Sequence, residues 1–133
     1  MTLCGSPGAR YLRHRTLVAE PEPPGLRLLG TESMGFVVVA RYVTKPGERA
    51  RVLELLEPMV PASLAEPGCR RYDVHAATDS DDVVVLVEEY DTEDDFARHC
   101  ETEHFTRIVV GEVIPLLVER QVTRCAPVAG SEA

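Results

Sequence analysis

The sequence predicts an α+β domain, a four-stranded antiparallel sheet with helices on one face. Three observations predict it. "FVVVARYV" (36–43) and "VVVLVEEY" (83–90) are β-branched runs of strand length. "ERARVLELLEPMVPASLA" (48–65) places Val52, Leu53, Leu55, Leu56, Met59, Val60 and Leu64 at helical spacing. "CRRYDVH" (69–75) alternates like a strand, and "LVERQVTRC" (117–125) reads as a last one. With a second helical region between 92 and 115, the order is β-α-β-β-α-β, the ferredoxin-like arrangement.

Each element has a local cause. Lys45-Pro46-Gly47 turns the chain after the first strand. Pro58 and Pro61 fall inside the helical pattern, where a proline costs ~3 kcal/mol, so a bend or break is expected between Glu57 and Ala62. Pro67-Gly68 stops that helix and the second strand follows over 69–77. Cys69, Arg71, Asp73 and His75 fall on one parity, with Arg70, Tyr72 and Val74 on the other. Asp79 to Asp82 is a solvated turn. Thr92 with Asp95 three residues on resembles a capping box for a short helix carrying Phe96, Ala97 and Cys100. Thr102 can cap another, carrying Phe105, Ile108 and Val109 and ending at Gly111 and Pro115.

At 133 residues the chain is one domain with a real core. Its net charge of -8 argues against a nucleic-acid surface, which needs clustered Lys and Arg. No apolar run approaches the roughly 20 residues of a membrane span, and Leu3-Cys4-Gly5 is a poor lipoprotein site because no apolar signal core precedes it. Cys4, Cys69, Cys100 and Cys125 form no CxxC pair, so reduced thiols and a cytoplasmic location are expected. Arginine almost without lysine points to a GC-rich bacterial genome.

Residues 1–33 hold Pro7, Pro21, Pro23 and Pro24 with no sustained periodicity and read as a flexible extension. The compact region is 34–125, and 126–133 is a short tail. Met34 stands where translation of a minimal domain would start. A chain begun at Met34 is expected to keep its melting temperature within a few degrees, and a large loss would show that the extension packs on the domain.

Two helices cover only one face of such a sheet, yet the first and third strands are apolar on both. A bare second face would be an apolar patch larger than monomers tolerate, and the same face of a second copy covers it most simply. A homodimer is expected, enclosing a small space that Arg71, Asp73 and His75 or their opposite-parity neighbours line.

"VVVARYVTKPGERARVLELL", "EPGCRRYDVH", "VVVLVEEYDTEDDFARH" and His104-Phe105 resemble the antibiotic biosynthesis monooxygenase domain over about residues 34–125. The resemblance implies a dimeric α+β barrel and an oxygenase that needs neither metal nor flavin, acting on quinols or phenols with dioxygen. The fold also hosts haem-degrading enzymes that rely on Asn, Trp and His. This chain has neither Trp nor Asn, which removes that branch and weakens the analogy to oxygenases of large polycyclic phenols. A small phenol or quinol remains as the expected substrate, without a cofactor. The alternatives are a dimer that only binds a small ligand, and an isomerase of a sugar-derived phosphate using Arg41 and Arg71.

Glu88 interrupts an apolar strand and shares its parity with Tyr90. A carboxylate on a half-dry face has a raised pKa, which suits a proton acceptor; the same position suits an ion pair with an arginine. His99 and His104 lie about 140° apart on an unbroken helix and converge only if it breaks near Glu101 to Glu103. Each is a candidate base, or a histidine that holds a loop. Tyr72, Tyr90 and Phe105 are candidates to hold a planar substrate, with Arg41 to hold an oxyanion or pair with Asp73 or Glu88. Cys100 and His104 have metal-ligand spacing but no third ligand nearby in sequence, so no metal is expected.

Overall fold

The computed structural model describes residues 35–130. The expected extension at 1–33 lies outside the described residues, as do the last three residues of the tail. Strand β1 spans Phe36–Thr44, helix α1 Arg49–Leu56, helix α2 Met59–Leu64, β2 Cys69–Ala76, β3 Val83–Tyr90, helix α3 Glu93–His99 and β4 Leu117–Cys125. Between α3 and β4, Phe105–Val113 winds as a π-helix and Ile114–Leu116 as one turn of 3₁₀ helix. The sheet is antiparallel throughout, in the order β2-β3-β1-β4, which is the ferredoxin-like topology.

The prolines act as the sequence predicts. α1 ends before Glu57-Pro58, and Pro61 falls in the first turn of α2, where a missing N–H costs little. Thr92 caps α3, its Oγ1 accepting from Asp95 N–H (3.2 Å) and donating to Asp95 Oδ2 (2.9 Å). The helix after it departs from expectation. Thr102 does accept from Phe105 N–H at its start (3.2 Å), but Gly111 does not end it. The chain unwinds into the wider i→i+5 bonding through Val113, and Pro115 sits in the 3₁₀ turn beyond. The turn after β2 is held from α1, where Arg49 donates to the carbonyls of Ala77, Ser80 and Val83 at 2.7–3.1 Å.

The two sheet faces differ as strand parity requires. Phe36, Val38, Ala40 and Tyr42 of β1, with Val84, Leu86, Glu88 and Tyr90 of β3, are buried beneath the helices. Val37, Val39, Val43, Val85 and Val87 lie half-exposed on the other face, with Arg41 exposed among them. Arg71, Asp73 and His75 join that outer face. Arg71 pairs with Asp73 (2.6 Å) and His75 contacts the Val85 carbonyl (3.1 Å), both in solvent.

Cys69 does not keep their company. Cys69 faces Tyr90 and Arg71 faces Glu89 in register, so Arg70 is an extra residue in a β-bulge. The bulge returns Cys69 to the helix side, where it packs on the core, and leaves Arg70 to pair with Asp91 (2.5 Å).

Candidate active site

The expected site residues divide between the two faces. Glu88, Tyr90 and Tyr72 lie beneath the helices, Tyr72 directly across from Glu88 in the β2–β3 register. His99 ends α3 and Phe105 begins the π-helix, both also buried on this side. The chain breaks between them at Cys100 to Thr102, so the two histidines converge, with ring centroids 6.2 Å apart. Arg41 points to the opposite face and takes no part. Two cations of β4 lie on the buried face: Arg120, opposite Tyr42 in register with its guanidinium carbon 5.8 Å from that ring's centroid, and Arg124, opposite Val38 and 5.6 Å from the Phe96 centroid.

His99 is the centre of the arrangement and is fully buried. Its ring lies 5.3 Å from Phe105, 5.6 Å from Tyr72 and Tyr90, and 6.1 Å from Phe96, centroid to centroid. A residue outside every candidate set ties it down. Glu66, in the turn between α2 and β2, accepts from His99 Nδ1 at Oε2 (2.9 Å), and the same oxygen accepts from His104 Nε2 (2.6 Å). Burial acts to raise the Glu66 carboxyl, but the two imidazoles, His99 first, outweigh it and hold it below the ordinary carboxylate value.

Glu88 behaves in the opposite way. Only 5 % exposed, it is pushed above the ordinary carboxylate value by burial, and His99, the Tyr90 hydroxyl and Arg120 pull it only part of the way back. Tyr90 donates its hydroxyl to Glu88 Oε1 (2.6 Å). Burial and the Glu88 charge raise the phenols of both Tyr90 and Tyr72, so these rings keep their protons. Burial and Glu66 likewise lift the Cys69 thiol to about 11, which leaves it protonated and a poor nucleophile at neutral pH.

The fold gathers a ligand set other than the Cys100 and His104 pair suggested by spacing. Glu66, His99 and His104 offer ligand atoms that all lie within 4.8 Å of one another. Two ligands on a tetrahedral metal about 2.1 Å away stand roughly 3.4 Å apart. The two Glu66 contacts are shorter and have hydrogen-bond lengths. The cluster is therefore a carboxylate bridging two imidazoles, with donors suited to a divalent ion only if they spread.

One face of the ferredoxin-like sheet thus brings a buried carboxylate and a buried imidazole together among phenol and phenyl rings. Comparison with known proteins gives this site its family. Residues 35–110 match the family model for antibiotic biosynthesis monooxygenase, and the chain belongs to that family. The Mycobacterium tuberculosis protein Rv0793, whose name provisionally makes it a monooxygenase, is 33 % identical over 79 residues, covering 58 % of this chain and 77 % of that protein. The solved structure of Rv0793 aligns with TM-score 0.67 and 30 % identity over 73 % of this chain and 98 % of that one. The crystal structure of PA3566 from Pseudomonas aeruginosa aligns with TM-score 0.69 and 26 % identity, covering 75 % and 100 %. Among the described residues, no helix is long and apolar enough to cross a membrane.

Proposed function

We propose that the protein is a cofactor-independent oxygenase that oxidises a small phenol or quinol on the helix side of its sheet. The observation that carries the reading is the joint burial of Glu88 and His99 on one aromatic-lined face. The family and the monooxygenase name of Rv0793 support it. A quinol anion brings its own reducing electrons, so the protein has to hold the ring, remove protons and exclude water. Glu88 takes the first hydroxyl proton, and Arg120 faces the developing anion in the role the sequence suggested for Arg41. Dioxygen accepts the electrons, giving quinone and hydrogen peroxide, or hydroxyquinone and water.

Oxygen uptake with a panel of quinols, with peroxide and hydroxylated product assayed together, tests the reading. Turnover of none of them by the wild type would sink it. A ligand-binding dimer without turnover would then stand in its place, a reading favoured by the close packing of four aromatic rings about His99. The isomerase reading would need a site on the outer face, where Arg41 and Arg71 lie, and not among the buried residues beneath the helices.

The outer face bears on assembly. Val37, Val39, Val43, Val85 and Val87 form an apolar stripe that the helices leave uncovered, supporting a two-fold dimer through this face with an interface of about 2,000 Å² or more. Val39 and Val87 are register neighbours near its middle. Val39→Asp is expected to give monomers in sedimentation at micromolar concentration, since it buries an unpaired charge twice per dimer. A wild type that is itself monomeric would overturn the assembly.

A further inference from the structure

Glu66 holds no place in the chemistry described so far, yet it makes the shortest contacts in the site's histidine cluster. An ionised carboxylate only accepts hydrogen bonds, so the ring nitrogens facing it carry hydrogen. In a neutral His99 ring this places the proton on Nδ1 and leaves Nε2 as a lone pair. That Nε2 is buried and has no hydrogen-bond partner among the described residues. A buried acceptor with no donor is costly to keep, and the arriving substrate hydroxyl is the donor it lacks.

We propose that Nε2 of His99 is the second proton acceptor of this site, and that Glu66 is the positioning residue that holds the ring in the required tautomer. The proposal deepens the oxygenase reading and rests on it for the substrate. A quinol that becomes a quinone gives up two electrons and two protons. Dioxygen takes the electrons, Glu88 takes one proton, and Nε2 takes the other. The resulting imidazolium already directs its Nδ1–H at the Glu66 carboxylate, so its new charge is met by a counter-charge in place. Both protons then pass to the reduced oxygen, leaving hydrogen peroxide and the resting site. His104 braces the assembly from the rim, half-buried and bonded to the same Glu66 oxygen.

The logic matches a carboxylate that orients a histidine base, in which loss of the carboxylate charge frees the wrong tautomer. Long-range ¹H–¹⁵N correlation on the full chain reads the His99 tautomer without any substrate. The wild type is expected to carry the ring proton on Nδ1. Glu66→Gln offers a donor as well as an acceptor and is expected to give mixed tautomers, while Glu66→Asp keeps Nδ1–H. With an active quinol, Glu66→Gln should lower kcat by roughly 10²-fold with little change in KM, and Glu66→Asp should recover part of the loss.

A wild-type His99 protonated on Nε2 would overturn the proposal, as would a Glu66→Gln variant that loses melting temperature but keeps kcat. Loss of wild-type behaviour on exhaustive EDTA treatment would reassign Glu66, His99 and His104 to a metal and overturn it too. If the wild type turns over no quinol, the oxygenase reading falls by itself, and the tautomer spectra still decide whether Glu66 positions His99.

Discussion

Glu88→Gln is expected to lower quinol turnover by ~10²–10⁴-fold, the usual worth of a general base, without destabilising the protein. Gln keeps the shape, and its carbonyl still accepts the Tyr90 hydroxyl that now bonds Glu88 Oε1. What it lacks is the ability to hold a proton taken from substrate. Stability should move the other way from activity, and its pH dependence follows from the raised carboxyl. A group whose folded pKa is raised gives stabilisation that is complete below its unfolded value and lost as pH rises through the folded value. Near pH 4 the variant and the wild type should therefore melt together. Above the folded value the wild type buries an ionised carboxylate that the variant does not, and there Glu88→Gln should melt higher. An ion pair with Arg120 as the reason for Glu88 predicts the opposite, a variant that melts lower above the folded value. Melting curves across pH, with oxygen uptake on the same samples, distinguish the two.

Gly68→Ala is expected to be the most destabilising single methyl addition in the described domain. Gly68 has φ +92°, in the left-handed region, which costs a residue with a Cβ roughly 1–2 kcal/mol. A Cβ there would stand 2.4 Å from Asp95 Cγ and within 2.7 Å of both its carboxylate oxygens. That carboxylate cannot swing aside freely, because Thr92 bonds one oxygen and Arg98 the other. Strain and overpacking together suggest about 2–5 kcal/mol, a fall in Tm of roughly 10 °C or more. Gly47, at φ +81° with open space where a Cβ would go, provides the comparison. Gly47→Ala should cost only the backbone strain. Equal losses at the two positions would show that the Asp95 contact yields. The Gly68 variant should also weaken the site, since Gly68 is two residues from Glu66 and its displacement moves that carboxylate away from the histidines.

Much of this architecture was legible in the chain. β3 and β4 fall where their β-branched and alternating runs end, and the helix breaks at Glu57-Pro58 because proline has no N–H to give. The convergence of His99 and His104 followed from a second cap signal at Thr102. What escaped was tertiary. Glu66 sits in an unremarkable Glu-Pro-Gly turn and meets His99 and His104 only through the fold, 33 and 38 residues away in sequence. The bulge at Arg70 shifts Cys69 to the other face, and no turn residue marks it. The cations of β4 on the site face are Arg120 and Arg124 because the strand pairs them with Tyr42 and Val38, whereas Arg41 looked better placed only because it interrupts an apolar run. The π-helix keeps the spacing of an ordinary amphipathic helix, so Phe105–Val113 gave no sign of the wider turn.

The strand order carries a consequence for synthesis. β1 is the earliest strand of the described domain to leave the ribosome, and both its neighbours come later: Phe36 waits for Tyr90, and Val37 on its other edge waits for Cys125. A valine-rich ribbon with two open edges must remain unpaired on one side until nearly the whole domain has emerged. Nascent chains of this protein are thus most prone to stray β-pairing just before β4 appears, and that is the stage at which a chaperone that shields apolar strands would most raise the yield.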